Sequence, residues 1–372
     1  MAYIERRVSR RRDASGRIRE QVRYKVRYRD SAGRGHSETL TRRTDAERRK
    51  AEIEVDLGHG TWRDPTRSEI LLRHWVSEWL PTRHDLRATT KARLELTMAK
   101  QVLPRFGAAP LGRITNGEIR RWVSDLLDQG LSAASTRKAV FALRQTLEAA
   151  IADGRIVHNP ADKVPLPSER QKRARYLSQQ EVERLVSELP DRDRALVLVG
   201  AYGGLRWGEA AGLRRRDIDP LRSRIRVEGM AVQLGGTITL DNEPKTPRSK
   251  RSVPVARSVM GRIQHHLDEY VDLPPDSLAF TAPGGGPLFR AWSQNTLAPA
   301  ARRANLEGIT FHGLRHSFVA IMVAAGCNVR EVSEWAGHNS VAFTLTRYGG
   351  LFEDGSDEAV DRLDALLGPK SS

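Results

Sequence analysis

Along residues 22–28 the side chains alternate strictly, valine and tyrosine on one side and Arg23, Lys25 and Arg27 on the other. That period of two predicts a strand with one buried face. A second strand is expected at Gly35–Leu40, after a turn at Ser31-Ala32-Gly33, and a helix over about 44–57 covers the apolar side. From residue 68 the period becomes helical. Residues 70–80 carry Trp75 and Trp79 four apart, and a second helix is expected over 89–106, broken by Gly107 and Pro110. Thr115-Asn116-Gly117-Glu118 is a capping box, whose end residues satisfy each other's backbone N–H groups; it opens a third helix that stops at Gly130. Ser132 opens a fourth, with Val140, Leu143, Leu147 and Ile151 on one stripe. Residues 159–175 hold three prolines and several charges and predict a tether. A capping box at Ser178-Gln179-Gln180-Glu181 starts the last part, with helices expected at 178–189, 191–202 and 206–214. Strands follow at 224–234 and 237–240 about a Gly235-Gly236 turn, and at 252–255. Helices return at 256–271, at 291–303 and as short pieces through 310–350. The expected fold is multidomain: a small β-sheet plus helix (1–62), an all-α bundle (67–155), a linker (156–175) and a mainly-α domain with a small antiparallel sheet (176–372).

Charge changes this picture most. The 372 residues include 62 Lys and Arg against 46 Asp and Glu, a formal net charge of +16, and residues 1–50 hold 17 against 7. Such an excess favours a polyanionic partner. A ribbon presenting Arg23, Lys25 and Arg27 on an open face suits entry into a DNA major groove, a solvated sheet face being the plain alternative. In the bundle, Lys91, Arg93, Lys100, Arg137, Lys138 and Arg144 stand between the apolar stripes, where they either track phosphates or face water. A membrane partner is disfavoured, because the longest apolar run, 195–201, is far shorter than a span. The Arg-rich N-terminus has no apolar stretch behind it, so no secretion signal is expected. The single cysteine, Cys327, excludes an internal disulfide and fits a reducing cytoplasm.

Candidate chemistry concentrates in residues 310–350. His312 and Arg315 are three apart and share a helix face, His338 follows the helix-breaking Gly337, and Tyr348 lies ten residues further on. Two imidazoles, a guanidinium and a phenol suit the grip of an anion, with the phenol as candidate nucleophile. Arg206 stands after Gly203-Gly204 at an expected helix start, where free N–H groups add to its charge. Lys245, in a proline-bounded loop, is a cation able to approach a leaving group; Lys250 shares that loop. His312 and His316 are four apart but lack the glutamate of a zinc-protease helix and a third ligand, so no metal site is expected, and His316 reads as a packing neighbour. Gly284-Gly285-Gly286 and Gly203-Gly204 lack the following Lys-Ser/Thr of a nucleotide loop and read as turns.

Taken together, Gly204-Leu205-Arg206-Trp207-Gly208-Glu209, the Lys245-Thr-Pro…Arg251-Ser-Val-Pro-Val element, His312-Gly-Leu-Arg315-His-Ser, Ala336-Gly337-His338 and Thr346-Arg347-Tyr348 resemble, in order and spacing, the tyrosine recombinases of the lambda-integrase family. The resemblance implies an arm-type DNA-binding module, a core-binding bundle and a catalytic domain, as in phage integrases. It implies cleavage and rejoining of double-stranded DNA with no cofactor, no metal and no ATP. Tyr348 would attack a phosphodiester to form a 3′-phosphotyrosyl link, and Arg206 and Arg315 would hold the non-bridging oxygens. His312 would accept or assist the phenol proton, Lys245 would protonate the leaving 5′-oxygen and His338 would bond a non-bridging oxygen. Glu209 would orient Arg206 or a histidine. The family also implies a homotetramer on DNA, with an excisionase and a host DNA-bending protein as accessory partners. The acidic amphipathic segment 354–367 would pack on its own domain or on a neighbouring protomer. The expected function is integration and excision of a phage or other mobile element in the cytoplasm. The alternatives are a chromosome-dimer resolvase-type recombinase and a non-catalytic DNA-binding relative.

Overall fold

A computed structural model of the chain describes residues 2–12, 18–30, 33–60, 62, 64–168, 175–241 and 250–352. Lys245, the segment 354–367 and the turn residues Ser31 and Ala32 lie outside the described residues. The chain divides into two compact units, Met1–Arg170 and Gln171–Ser372.

The first unit holds two separate cores. In one, β1 (Tyr3–Arg12), β2 (Ile18–Arg29) and β3 (Gly35–Leu40) form an antiparallel sheet in that order. Helix α1 (Arg43–His59) buries Ala46 and Ile53 with Val26 and Tyr28 of the sheet. β1 is a strand that periodicity does not announce, since its apolar residues are only Tyr3, Ile4 and Val8. Unbroken pairing with β2 overrides that weak local preference. The cationic face also differs from expectation. Arg23 is exposed and directly opposite Arg7, but Lys25 is half-buried and Arg27 is held by Glu5 at 2.8 Å. The missed strand supplies the carboxylate that occupies Arg27.

The other core is helical: α2 (Leu72–Trp79), α3 (Ala88–Thr97), α4 (Leu103–Phe106), α5 (Asn116–Asp128) and α6 (Ala133–Ala152). A π-helical turn, Met98–Val102, joins α3 to α4 just before Pro104. Proline donates no N–H to the ladder, and the turn before it shifts to the wider spacing. Both expected caps form, Thr115 with Glu118 and Ser132 with the Ser135 N–H. Trp75, Trp79, Phe106, Trp122, Leu143 and Leu147 fill the centre. Residues 156–166 are not the free tether that the prolines suggested. Ile156, Ala161 and Val164 enter the helical core, and Asn159 donates to the Arg144 carbonyl at 3.0 Å. Arg137 lies half-buried 6.0 Å from the Phe141 ring centre, whereas Lys138 is exposed.

The second unit starts with α7 (Gln179–Ser187), opened by the Ser178–Glu181 capping box, then α8 (Asp191–Tyr202) and α9 (Trp207–Ala211). The expected long strand at 224–234 is two: β5 (Arg224–Val227) pairs with β4 (Ile218–Asp219) and β8 (Arg251–Pro254), while β6 (Met230–Leu234) forms a hairpin with β7 (Thr237–Asp241). Helices α10 (Arg257–Tyr270), α11 (Ala298–Arg303), α12 (Phe311–Ala324), α13 (Val329–Ala336) and α14 (Val341–Tyr348) complete it. α8 and α12 pack at the centre, burying Leu196, Val199, Leu314 and Phe318.

Candidate active site

Arg206 caps the start of α9 because the chain reverses at Gly204, whose φ is +62°. A side chain there would run into the Phe318 ring, so only glycine allows α12 to approach this closely. The turn's product is a carbonyl: the Gly204 oxygen accepts from Arg315 Nη1 at 2.7 Å. Arg206 donates from Nη1 to Glu209 Oε1 at 2.8 Å and from Nη2 to the Gly337 carbonyl at 2.6 Å. Its side chain is still 37 % exposed, so it keeps donor edges facing outward.

Glu209 is buried between two arginines. Arg251 grips both of its oxygens, at 3.0 and 2.8 Å, and donates from Nε to the Trp335 carbonyl at 2.7 Å. Burial alone would push the Glu209 carboxyl up, but the bonds and charge of Arg251, with Arg206 behind them, hold it at about 2. The carboxylate is therefore fixed as an anion that aims guanidinium groups, and is no proton donor near neutrality. Arg251 is a site residue that motif reading passes over. The signal was present, because it shares strand parity with Val253, which is fully buried.

Arg315, on α12, is 2 % exposed and has no carboxylate partner among the described residues. Its Nη2 is buried without a hydrogen-bond partner. Burial, reinforced by the positive charge of Arg206, pulls it down to about 9. A buried guanidinium with a spare donor is costly unless an anion meets it.

His338 follows Gly337, the left-handed cap of α13, and its Nδ1 lies 2.8 Å from Thr344 Oγ1. Burial, then the charges of Arg315 and Arg206, push its imidazole down to about 3, so it is neutral. When Thr344 donates to Nδ1, the proton sits on Nε2, ready to be donated to an oxyanion. Tyr348, at the end of α14, is 2 % exposed and stacks on His338 with an interplanar angle of 8°. Burial raises its pKa against the opposing pull of Arg315 and Arg347. Its hydroxyl meets His316 Nδ1 at 2.5 Å. The histidine on the phenol is thus His316, whereas His312, expected there, packs edge-on against the His316 ring at 4.5 Å between ring centres. Burial pushes both imidazoles down, His316 to about 4.

The structure therefore gathers Arg206, Glu209, His312, Arg315, His338 and Tyr348, and adds Arg251 and His316. Among the described residues, no three His, Cys, Asp or Glu side chains gather as they would to hold a metal ion, and no helix is long and apolar enough to cross a membrane.

Residues 175–353 match the phage integrase family and residues 71–127 match the phage integrase N-terminal SAM-like domain, together more than half of the chain. The integrase of Mycobacterium phage FRAT1 is 26 % identical over 306 residues, covering 81 % of this chain and 90 % of that one. The fold is similar to that of the Tn1549 transposon integrase in complex with transposon right-end DNA, with a TM-score of 0.67 at 20 % identity, covering 80 % of this chain and all of that one. It is also similar to a lambda integrase tetramer bound to a Holliday junction, with a TM-score of 0.58 at 19 % identity, covering 85 % and 93 %.

Proposed function

The chain belongs to the phage integrase family, and from that premise we propose that it is a site-specific DNA recombinase that integrates and excises a phage or other mobile element through Tyr348. One observation carries the assignment of the site. Arg315 is buried with an unpartnered Nη2, the charge of Arg206 lowers its pKa beyond what burial does, and the Tyr348 phenol is near enough to oppose that shift. A phosphodiester supplies the missing anion. Attack makes phosphorus five-coordinate and adds charge to its non-bridging oxygens, which Arg206, Arg315 and a proton on His338 Nε2 would stabilise. Glu209 and Arg251 keep Arg206 aimed. Lys245 is the general acid for the 5′-oxygen on the strength of its motif. The phosphotyrosyl link conserves the bond energy, so a 5′-hydroxyl of another strand reverses the attack without ATP.

The polyanion preference of the sheet fits a second DNA contact at arm sites. Exposed Arg23 stands opposite Arg7 on the open side, and although Glu5 holds Arg7 Nε at 3.0 Å, two cations in register favour a bound anion. That module favours integration over resolvase-type recombination. Strand exchange between two duplexes needs more than one active site, which supports a tetramer on DNA; an excisionase and a host bending protein are candidate accessory partners.

The test is a nicked suicide duplex carrying the core site. Wild-type protein should become covalently attached to DNA, and Tyr348→Phe should bind the same duplex without attachment. Cleavage by the Phe variant would place the nucleophile elsewhere.

A further inference from the structure

The phenol of Tyr348 must lose a proton to attack, and the resemblance assigns that proton to His312. The geometry points to a different acceptor: we propose that His316 is the catalytic base, taking the Tyr348 proton on Nδ1 and returning it when the strand is rejoined. The proposal rests on Tyr348 being the nucleophile. Three observations support it. The His316 Nδ1 and the Tyr348 hydroxyl are 2.5 Å apart, within reach for a proton to pass between them. The His316 ring is buried and wedged between the His312 ring, at 4.5 Å, and the Tyr348 ring, at 5.7 Å. The two ring contacts restrain the imidazole. His312 meets His316 edge-on, and the hydrogen-bond partner of the phenol among the described residues is His316.

The charged surroundings explain how such a base is kept quiet and then used. His312, Arg347 and Arg315 all face His316 and disfavour its protonation, as burial does. Without DNA the imidazole is therefore a neutral acceptor and the phenol stays protonated. A phosphodiester seated on Arg206 and Arg315 would neutralise part of that positive field, and the base would strengthen as the substrate arrives. In the step itself, the Tyr348 O–H bond breaks and its proton moves to His316 Nδ1. The phenol oxygen forms the bond to phosphorus, and the bond from phosphorus to the 5′-oxygen breaks. That oxygen keeps the electron pair and takes a proton from the cationic acid assigned to Lys245. Rejoining runs the same transfers backwards, with the imidazolium returning its proton to the departing phenoxide.

The experiment compares the full-length wild type with His316→Gln, whose side-chain oxygen accepts a hydrogen bond but does not hold a proton near neutrality. Single-turnover attachment is timed on two suicide duplexes, one ordinary and one with sulfur replacing the bridging 5′-oxygen, a leaving group that needs no acid. The expected result is a rate lower by roughly 10²–10⁴-fold on both duplexes, with DNA binding unchanged. A rate within about threefold of wild type would reduce His316 to a packing neighbour and overturn the proposal. Recovery on the sulfur duplex alone would move its action to the leaving group, with the same consequence. Failure of the wild type itself to attach would sink the Tyr348 assignment and this proposal with it. Should His316→Gln not fold, the ¹⁵N-histidine spectrum of the wild type decides. A proton on Nε2 with Nδ1 accepting, shifted in Tyr348→Phe, supports the base; a proton on Nδ1 overturns it.

Discussion

Arg315 shows most plainly how single residues in this site are placed for something other than stability. Its guanidinium is buried, one nitrogen bonds only the Gly204 carbonyl and the other bonds nothing described. Replacing a poorly compensated buried charge by an apolar side chain is often neutral or stabilising by about 1–4 kcal/mol, against about 1–3 kcal/mol for leaving the carbonyl unpaired. Arg315→Met is therefore expected to keep urea stability within about 1 kcal/mol of wild type while attachment to DNA is lost. A stability loss above about 3 kcal/mol would show that the cation is compensated after all. Residues of this kind were readable because their chemistry is unusual at their spacing. Arg251 and His316 stood inside the quoted motifs, and strand parity marked Arg251 as inward-facing, but their roles were not readable, because they arise from contacts with Glu209 and Tyr348 far away in the chain. No local pattern encodes such a meeting.

At the scale of elements, local chemistry located the capped helices and several strands, β3 to the residue, but missed β1 and read β5 and β6 as one. Thr115, Ser132 and Ser178 each satisfy the first free N–H groups of a helix, and those three starts fall where the capping pattern puts them. β1 escaped because its stability comes from pairing, and the π-helical turn at 98–102 escaped because hydrophobic spacing does not register one extra residue. The junction between α13 and α14 carries the most consequence for the site. Gly337 has φ +62°, its carbonyl accepts from Arg206, and a Cβ placed on it would lie 2.9 Å from Arg251 Nη1. Gly337→Ala thus strains the backbone by about 1–2 kcal/mol and also presses on the arginine that holds Glu209. The expected outcome is a stability loss of about 1–3 kcal/mol, together with attachment slowed even where the variant is fully folded. Normal single-turnover rates in the folded variant would mean that this junction does not aim Arg206.

For the molecule as a whole, the sequence already implied separate cores and a polyanion partner, since three apolar patterns and a strongly basic N-terminal stretch are visible in it. How the catalytic unit responds to acid was not visible, because burial is a tertiary property. His316 is held at about 4 and His338 at about 3, while in the unfolded chain both protonate near about 6.5. Between those values the unfolded state binds more protons, so stability falls as pH drops through that window. Glu209, held at about 2 against roughly 4.3 unfolded, withdraws further stability only at lower pH. From pH 7 to pH 5 the two histidines should each remove roughly 2 kcal/mol. Scanning calorimetry of the full chain can isolate this, since the transition of the second unit is the one that His338→Gln displaces. In the wild type that transition should fall steeply over this range, and in His338→Gln less steeply, since the buried His266, His312 and His316 remain. A transition that stays level from pH 7 to pH 5 would mean that the two imidazoles are as free to protonate in the fold as outside it. In that case, burial and the arginine charges would not be what keeps the two rings neutral.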